Sequence, residues 1–269
     1  MNDISLLKLK FCILNFFLLF LFFCKSASAK IITKDIEYKD GKTVLQGFLA
    51  YDDSIKEKRS GVIIVHEWNG LGSYVKGRAE QIAQLGYVAL CIDIYGKGIR
   101  PTTPEESAKQ AGIYRNDRIL MRRRATAGLE ELKKLQIVDT SRIAAIGYCF
   151  GGGVVLELAR SGADISEVVS FHGNLDTPNL QDAKNIKAKI LVLHGANDSY
   201  ISSEQMLTFQ KEMRDAKVDW QINIYGNAVH AFTNPNSGNN PETGAAYNEK
   251  ADKRSWEAMK IFFNEIFSK

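Results

Sequence analysis

Gly147-Tyr148-Cys149-Phe150-Gly151 reads as a sharp strand-to-helix turn with a reactive side chain at its apex. The apolar run Ile143-Ala144-Ala145-Ile146 leads into it, and Val154-Val155-Leu156-Glu157-Leu158-Ala159 leads out with helical character. Strand, G-x-C-x-G, helix is the pattern of a nucleophile elbow, where small residues flank the nucleophile because backbone passes close to backbone. The apex holds cysteine where serine is more usual, so the pattern predicts attack on an acyl carbon through a thiolate.

Outward from the elbow, short apolar strands alternate with amphipathic helices. Ile31 to Tyr38 and Thr43 to Ala50 read as a hairpin, and Val62-Ile63-Ile64-Val65 as a central strand buried on both faces. Tyr87 to Ile92, Val168 to Phe171, Ile190 to Leu193 and Trp220 to Tyr225 read as further strands. Helices are expected over Ser73 to Leu85, Pro104 to Leu135 with a break near Asn116-Asp117, Ser202 to Ala216, and Gly244 to Phe267. This alternation predicts an α/β fold, a mostly parallel, doubly wound sheet with helices on both faces. Ligands of such sheets bind beyond the carboxyl ends of the strands. The stretch from Asn234 to Pro241 reads as a polar loop on that side.

Residues 1–29 read as a secretory signal peptide: Lys8 and Lys10, an apolar run from Phe11 to Cys24, then Ala27-Ser28-Ala29. The run has 14 residues, short of the roughly 20 that span a bilayer. Cleavage is expected after Ala29, leaving residues 30–269 as one domain, periplasmic or secreted, with no stable membrane anchor. Losing Lys8, Lys10, Lys25 and Asp3 takes the formal charge from +4 to +2, which gives no reason to invoke nucleic acid. Arg122-Arg123-Arg124 is expected to be a solvated helix face. Cys12 and Cys24 leave with the leader; Cys91 sits in a strand-like run and reads as a buried hydrophobe, which leaves Cys149 for chemistry.

A cysteine nucleophile needs a histidine as general base, and the histidine needs a carboxylate to orient it. With an elbow of this kind the chain order is nucleophile, acid, histidine, each in a loop after a strand. Asp198 in His194-Gly195-Ala196-Asn197-Asp198 and His230 in Gly226-Asn227-Ala228-Val229-His230 satisfy order and position. Taken singly, Asp198 could be a turn residue and His230 a surface histidine. His66, His172 and His194 also lie at strand ends, where hydrogen bonding around the site is plausible. No local motif supports a metal site. The oxyanion donors are expected to be the N–H of Phe150 and an N–H of the loop after the first buried strand, Trp68 being the choice. Glu67 is awkward there, since a carboxylate would repel the developing oxyanion.

At these residues the chain resembles the dienelactone hydrolase family of α/β-hydrolases. The resemblance rests on Gly147 to Gly152, on His66-Glu67, on Asp93-Ile94-Tyr95-Gly96, and on Asp198 and His230-Ala231-Phe232. It covers essentially the whole chain after the leader. It implies a Cys149–Asp198–His230 triad, a Glu67 that hydrogen-bonds the resting cysteine, and hydrolysis of a dienelactone or related ester without a cofactor. Family members that act on dienelactone hold its carboxylate with arginines; here Tyr95, Lys97 and Arg100 are the candidates to line the substrate site. Lysine is a poorer bidentate partner for a carboxylate than arginine. The expected partner is a small ester or lactone, and the expected state a monomer. The alternatives are a broader carboxylesterase or thioesterase, or a non-catalytic binding protein on the same scaffold.

Overall fold

The computed structural model describes residues 30–267, so the leader reading of residues 1–29 lies outside the described residues. Eight strands of the described residues form one sheet in the order β1-β2-β4-β3-β5-β6-β7-β8. β1 (Ile31–Asp40) and β2 (Thr43–Asp52) form the expected antiparallel hairpin, turning at Gly41, where φ is +57°. β2 runs antiparallel to β4 (Val88–Ile92). All other neighbours are parallel: β3 (Arg59–Val65), β5 (Val138–Tyr148), β6 (Glu167–Phe171), β7 (Lys189–Gly195) and β8 (Trp220–Tyr225).

Among the described residues, six α-helices cover the faces. α1 (Ser73–Gln84) and α6 (Glu249–Phe267) pack on one, through Val75, Ile82, Met259 and Phe263. α2 (Pro104–Asn116), α3 (Arg118–Lys133), α4 (Phe150–Arg160) and α5 (Ser203–Asp215) pack on the other, through Tyr114, Leu129, Val155 and Phe209. Asp117 both ends α2 and caps α3, its Oδ1 accepting from Leu120 N–H at 2.9 Å, which is why the long helical stretch breaks where it does.

Two expectations need correction. The arginine run of α3 is not a solvated face. Arg122 and Arg124 turn inward, Arg122 onto Glu157 and Asp182, Arg124 onto Asp40 and the Thr43 hydroxyl, and only Arg123 stays exposed. The arginines tie α3 to α4 and to the hairpin, because carboxylates of those elements face it. Second, the last helix begins at Glu249, not Gly244. Gly244 sits at φ +81°, and its carbonyl accepts from His230 N–H while Ala246 N–H donates to His230 O. The segment 244–246 therefore clamps the backbone of His230 instead of joining the helix.

The register brings the ends of β3, β5, β6 and β7 level. Val65 pairs with Gly147, Tyr148 with Phe171, and Phe171 with Leu193. His66, Cys149, His172 and His194 therefore emerge side by side at the carboxyl edge, where the order of strands predicts the ligand site.

Candidate active site

Cys149 occupies the apex with φ 54° and ψ −117°, left-handed for a residue with a Cβ. Such backbone costs about 1–3 kcal/mol and persists only where the surroundings over-determine it. A Cβ on Gly147 would stand 2.0 Å from Gly151 O, and one on Gly151 2.4 Å from Val65 O. The flanking glycines are therefore obligatory for the close approach. The apex is also the N-cap of α4, so the sulfur sits at the positive end of the helix dipole.

Asp198 and His230 meet as the sequence order requires. His230 Nδ1–H donates to Asp198 Oδ2 at 2.8 Å, and the Asp198 side chain is completely buried. Asp198 Oδ1 accepts from Tyr200 N–H at 3.0 Å, which orients the carboxylate. Burial alone would push the His230 imidazole down. Negative charge on Cys149 and the Asp198 carboxylate outweigh it and carry the imidazole up to about 10. His230 thus faces the cysteine on one side and the aspartate on the other.

Phe150 opens α4, and no acceptor engages its N–H among the described residues; the same holds for Trp68. The Glu67–Trp68 peptide is held from its carbonyl end, by His66 Nδ1–H at 2.7 Å and by Gly70 N–H at 3.1 Å. Tyr95 Oη–H donates to Trp68 O at 2.8 Å, fixing the next peptide. His66 is fully buried and also accepts from Ile94 N–H at 3.3 Å; burial pushes its pKa down to about 4, so it stays neutral.

Glu67 lies close by but is engaged differently from the expectation. Its Oε2 accepts from Asn234 Nδ2 at 2.6 Å, and no hydrogen bond joins it to Cys149 among the described residues. Tyr95, Lys97 and Arg100 are also committed elsewhere. Tyr95 is buried against the Trp68 carbonyl, and Lys97 pairs with Glu37 on the surface. Arg100 donates to the carbonyls of Leu71, Gly96 and Ile99. All three are thus engaged within the protein, and Arg100 Nη2 is left with no partner among the described residues.

Sequence reasoning passed over Thr233 and Asn234. They follow His230 by three and four residues as a polar pair after apolar Ala231-Phe232, which was the available signal. Thr233 Oγ1 lies 2.7 Å from His172 Nε2 and 2.6 Å from Tyr74 Oη. Asn234 holds Glu67. One loop thus reaches three other elements of the site.

The model of the dienelactone hydrolase family matches residues 45–267. A solved dienelactone hydrolase-like promiscuous phosphotriesterase from metagenomic libraries is 40% identical, with TM-score 0.85, covering 89% of this chain and all of that one. An uncharacterised protein of Caenorhabditis elegans is 37% identical over 152 residues, 54% of this chain and 93% of its own. A Bradyrhizobium protein described as a probable 2-oxo-3-(5-oxofuran-2-ylidene)propanoate lactonase is 29% identical over 64% of this chain and 72% of its own.

Burial raises the Glu67 carboxyl to about 7, against the Asn234 hydrogen bond and the cations of His230 and Arg78. In the unfolded chain it ionises near 4.5, so between about pH 4.5 and 7 the unfolded state has released a proton that the folded state keeps. Stability then falls as pH rises through that window, by on the order of 3 kcal/mol. Glu67→Gln is expected to lack this fall and to melt higher than wild type at pH 8 but not at pH 5. Parallel melting curves for the two proteins across that range would contradict the assignment.

Proposed function

The chain belongs to the dienelactone hydrolase family, and we propose that it hydrolyses an ester or lactone through an acyl-cysteine intermediate on Cys149. The observation that carries this reading is the buried Asp198–His230 pair facing a cysteine held at φ 54° on a helix N-terminus. A metal or organic cofactor has no part in the scheme.

His230, carried up to about 10 by its anionic neighbours, already holds the proton given up by the thiol, and the Asp198 carboxylate stabilises that imidazolium beside the Cys149 thiolate. The thiolate attacks the carbonyl carbon, and the new oxyanion is received by the N–H groups of Phe150 and Trp68. The tetrahedral species collapses with cleavage of the C–O bond, and His230 returns its proton to the departing alkoxide. In a lactone that alkoxide remains tethered to the acyl group. Water, deprotonated by His230, then attacks the thioester; the thiolate leaves and the carboxylic acid is released.

Glu67 suits a supporting part. Its raised pKa allows it to be neutral at the working pH, which relieves the repulsion an ionised carboxylate would impose on the oxyanion. The family role, in which this residue bonds the resting thiol, requires Glu67 to exchange Asn234 for Cys149. A second reading is favoured by the 40% identity to the phosphotriesterase-like neighbour: the same thiolate attacks the phosphorus of a triester and expels an alkoxide or aryloxide.

We also propose export, on the pattern of residues 1–29, with the mature chain acting as a monomer. A secreted or periplasmic product should begin at Lys30; an intact Met1 on that product would exclude cleavage there. For the chemistry, Cys149→Ala and His230→Ala are expected to lower kcat/KM toward nitrophenyl esters and dienelactone by more than about a thousandfold. Asp198→Asn should cost about a hundredfold or more through loss of the correct tautomer. Iodoacetamide should modify Cys149 in preference to Cys91, which is fully buried and donates to Val75 O. Undiminished turnover by Cys149→Ala would sink the nucleophile assignment for carboxylic and phosphoric esters alike.

A further inference from the structure

We propose that His172 is a positioning residue that holds the nucleophile's backbone in register with the loop carrying His230. The inference rests on the assignment of Cys149 and His230 as the reacting pair.

His172 follows β6 and is fully buried. Its Nδ1 accepts from Cys149 N–H at 3.1 Å, an N–H that also reaches Phe171 O at 3.0 Å. An N–H can only donate, so Nδ1 carries no proton and Nε2 must carry it. Nε2–H then donates to Thr233 Oγ1 at 2.7 Å. Thr233 is anchored in turn: Arg78 Nη2 donates to its carbonyl at 2.7 Å, and its hydroxyl shares a 2.6 Å bond with Tyr74 Oη. A single imidazole therefore joins the backbone of the attacking residue to a side chain three positions beyond the base.

The geometry around the ring leaves it little freedom. It meets the His230 ring edge to face at 5.2 Å and the Phe232 ring at 5.1 Å. Its own backbone lies at φ 40°, a second left-handed non-glycine residue directly opposite the strained cysteine. Gly173 next to it is pressed on α4: a Cβ there would stand 2.3 Å from Ser170 Oγ and 2.6 Å from Gly152 Cα. The chain must turn at His172 to allow that contact, and the turn delivers the ring to the Cys149 N–H. Burial, with His230 and Arg78 as cationic neighbours, keeps the ring neutral, as acceptance at Nδ1 requires.

Any buried histidine must have its nitrogens satisfied; what distinguishes His172 is which partners satisfy them, the nucleophile's backbone on one side and the loop of the base on the other. Loss of either link should leave the substrate site in place but let the sulfur and the His230 imidazole drift relative to each other. Displacement of reacting groups by about 1 Å can cost about a hundredfold.

The test is steady-state hydrolysis of a nitrophenyl ester by wild type, His172→Asn, Thr233→Val and the double variant, with the iodoacetamide rate at Cys149 and the melting midpoint measured alongside. Asparagine can still accept the Cys149 N–H but is too short to reach Thr233; valine keeps the shape of threonine and the carbonyl that Arg78 holds. Each single variant is expected to lose about 10–100-fold in kcat with KM within about threefold. The double variant should be no worse than the worse single, because both cut the same link. Alkylation of Cys149 should slow in step with kcat. Near-normal kcat in both single variants would overturn the proposal, as would additive losses that simply follow the melting midpoints. Cys149→Ala, assayed beside them, separates the failures: if it abolishes turnover while the other variants are normal, only the role of His172 falls; if it does not, the nucleophile assignment falls first.

Discussion

A cysteine held at φ 54° is the constraint from which the rest of the active centre follows. The conformation is tolerable because Gly147 and Gly151 let backbone touch backbone where a methyl group would collide. It is enforced because β5 on one side and α4 on the other are both buried and cannot give way. Strain of about 1–3 kcal/mol is small against the burial of those two elements. In return the sulfur stands clear of the sheet edge, at a helix N-terminus, with the Phe150 N–H beside it.

The loop that follows β8 does the corresponding work for His230, the proposed base. His230 bonds Asp198, Thr233 bonds His172 and Tyr74, and Asn234 bonds Glu67. The returning segment 244–246 pairs with the His230 backbone on both sides. Of the segment read as a polar loop, 234–241, Asn234 reaches Glu67, while the residues just before it reach Asp198, His172 and Tyr74. The arrangement also accounts for a carboxylate so near the proposed oxyanion site. Asn234 is a neutral partner, so burial prevails and Glu67 is held near neutrality instead of being fixed as an anion.

Local chemistry made much of this legible in the sequence. The elbow declared itself through glycine spacing between a strand pattern and a helix pattern, and chain order selected Asp198 and His230. The break at Asp117 followed from an N-cap residue inside a helical stretch. What sequence could not show depended on what faces what across the fold. Arg122 and Arg124 look like surface charge until Glu157, Asp182 and Asp40 are brought opposite them. Arg100 looks wholly free until its Nε and Nη1 are found on three carbonyls of the surrounding loops. Gly244 looks like the first residue of a helix until its pairing with His230 is seen. Partner identity is a tertiary property, and a charged side chain carries no local mark of it.

An acyl group on the Cys149 sulfur is the most direct sign of the chemistry proposed for this chain. Rapid quenching of the enzyme with a nitrophenyl ester, followed by peptide mass mapping, reads it out. One acyl group per active site should appear on the peptide containing Cys149, in step with a burst of released nitrophenol, and should decay as turnover proceeds. Turnover with no such adduct at any quench time, or with the acyl group on another residue, would be incompatible with a nucleophile at the elbow.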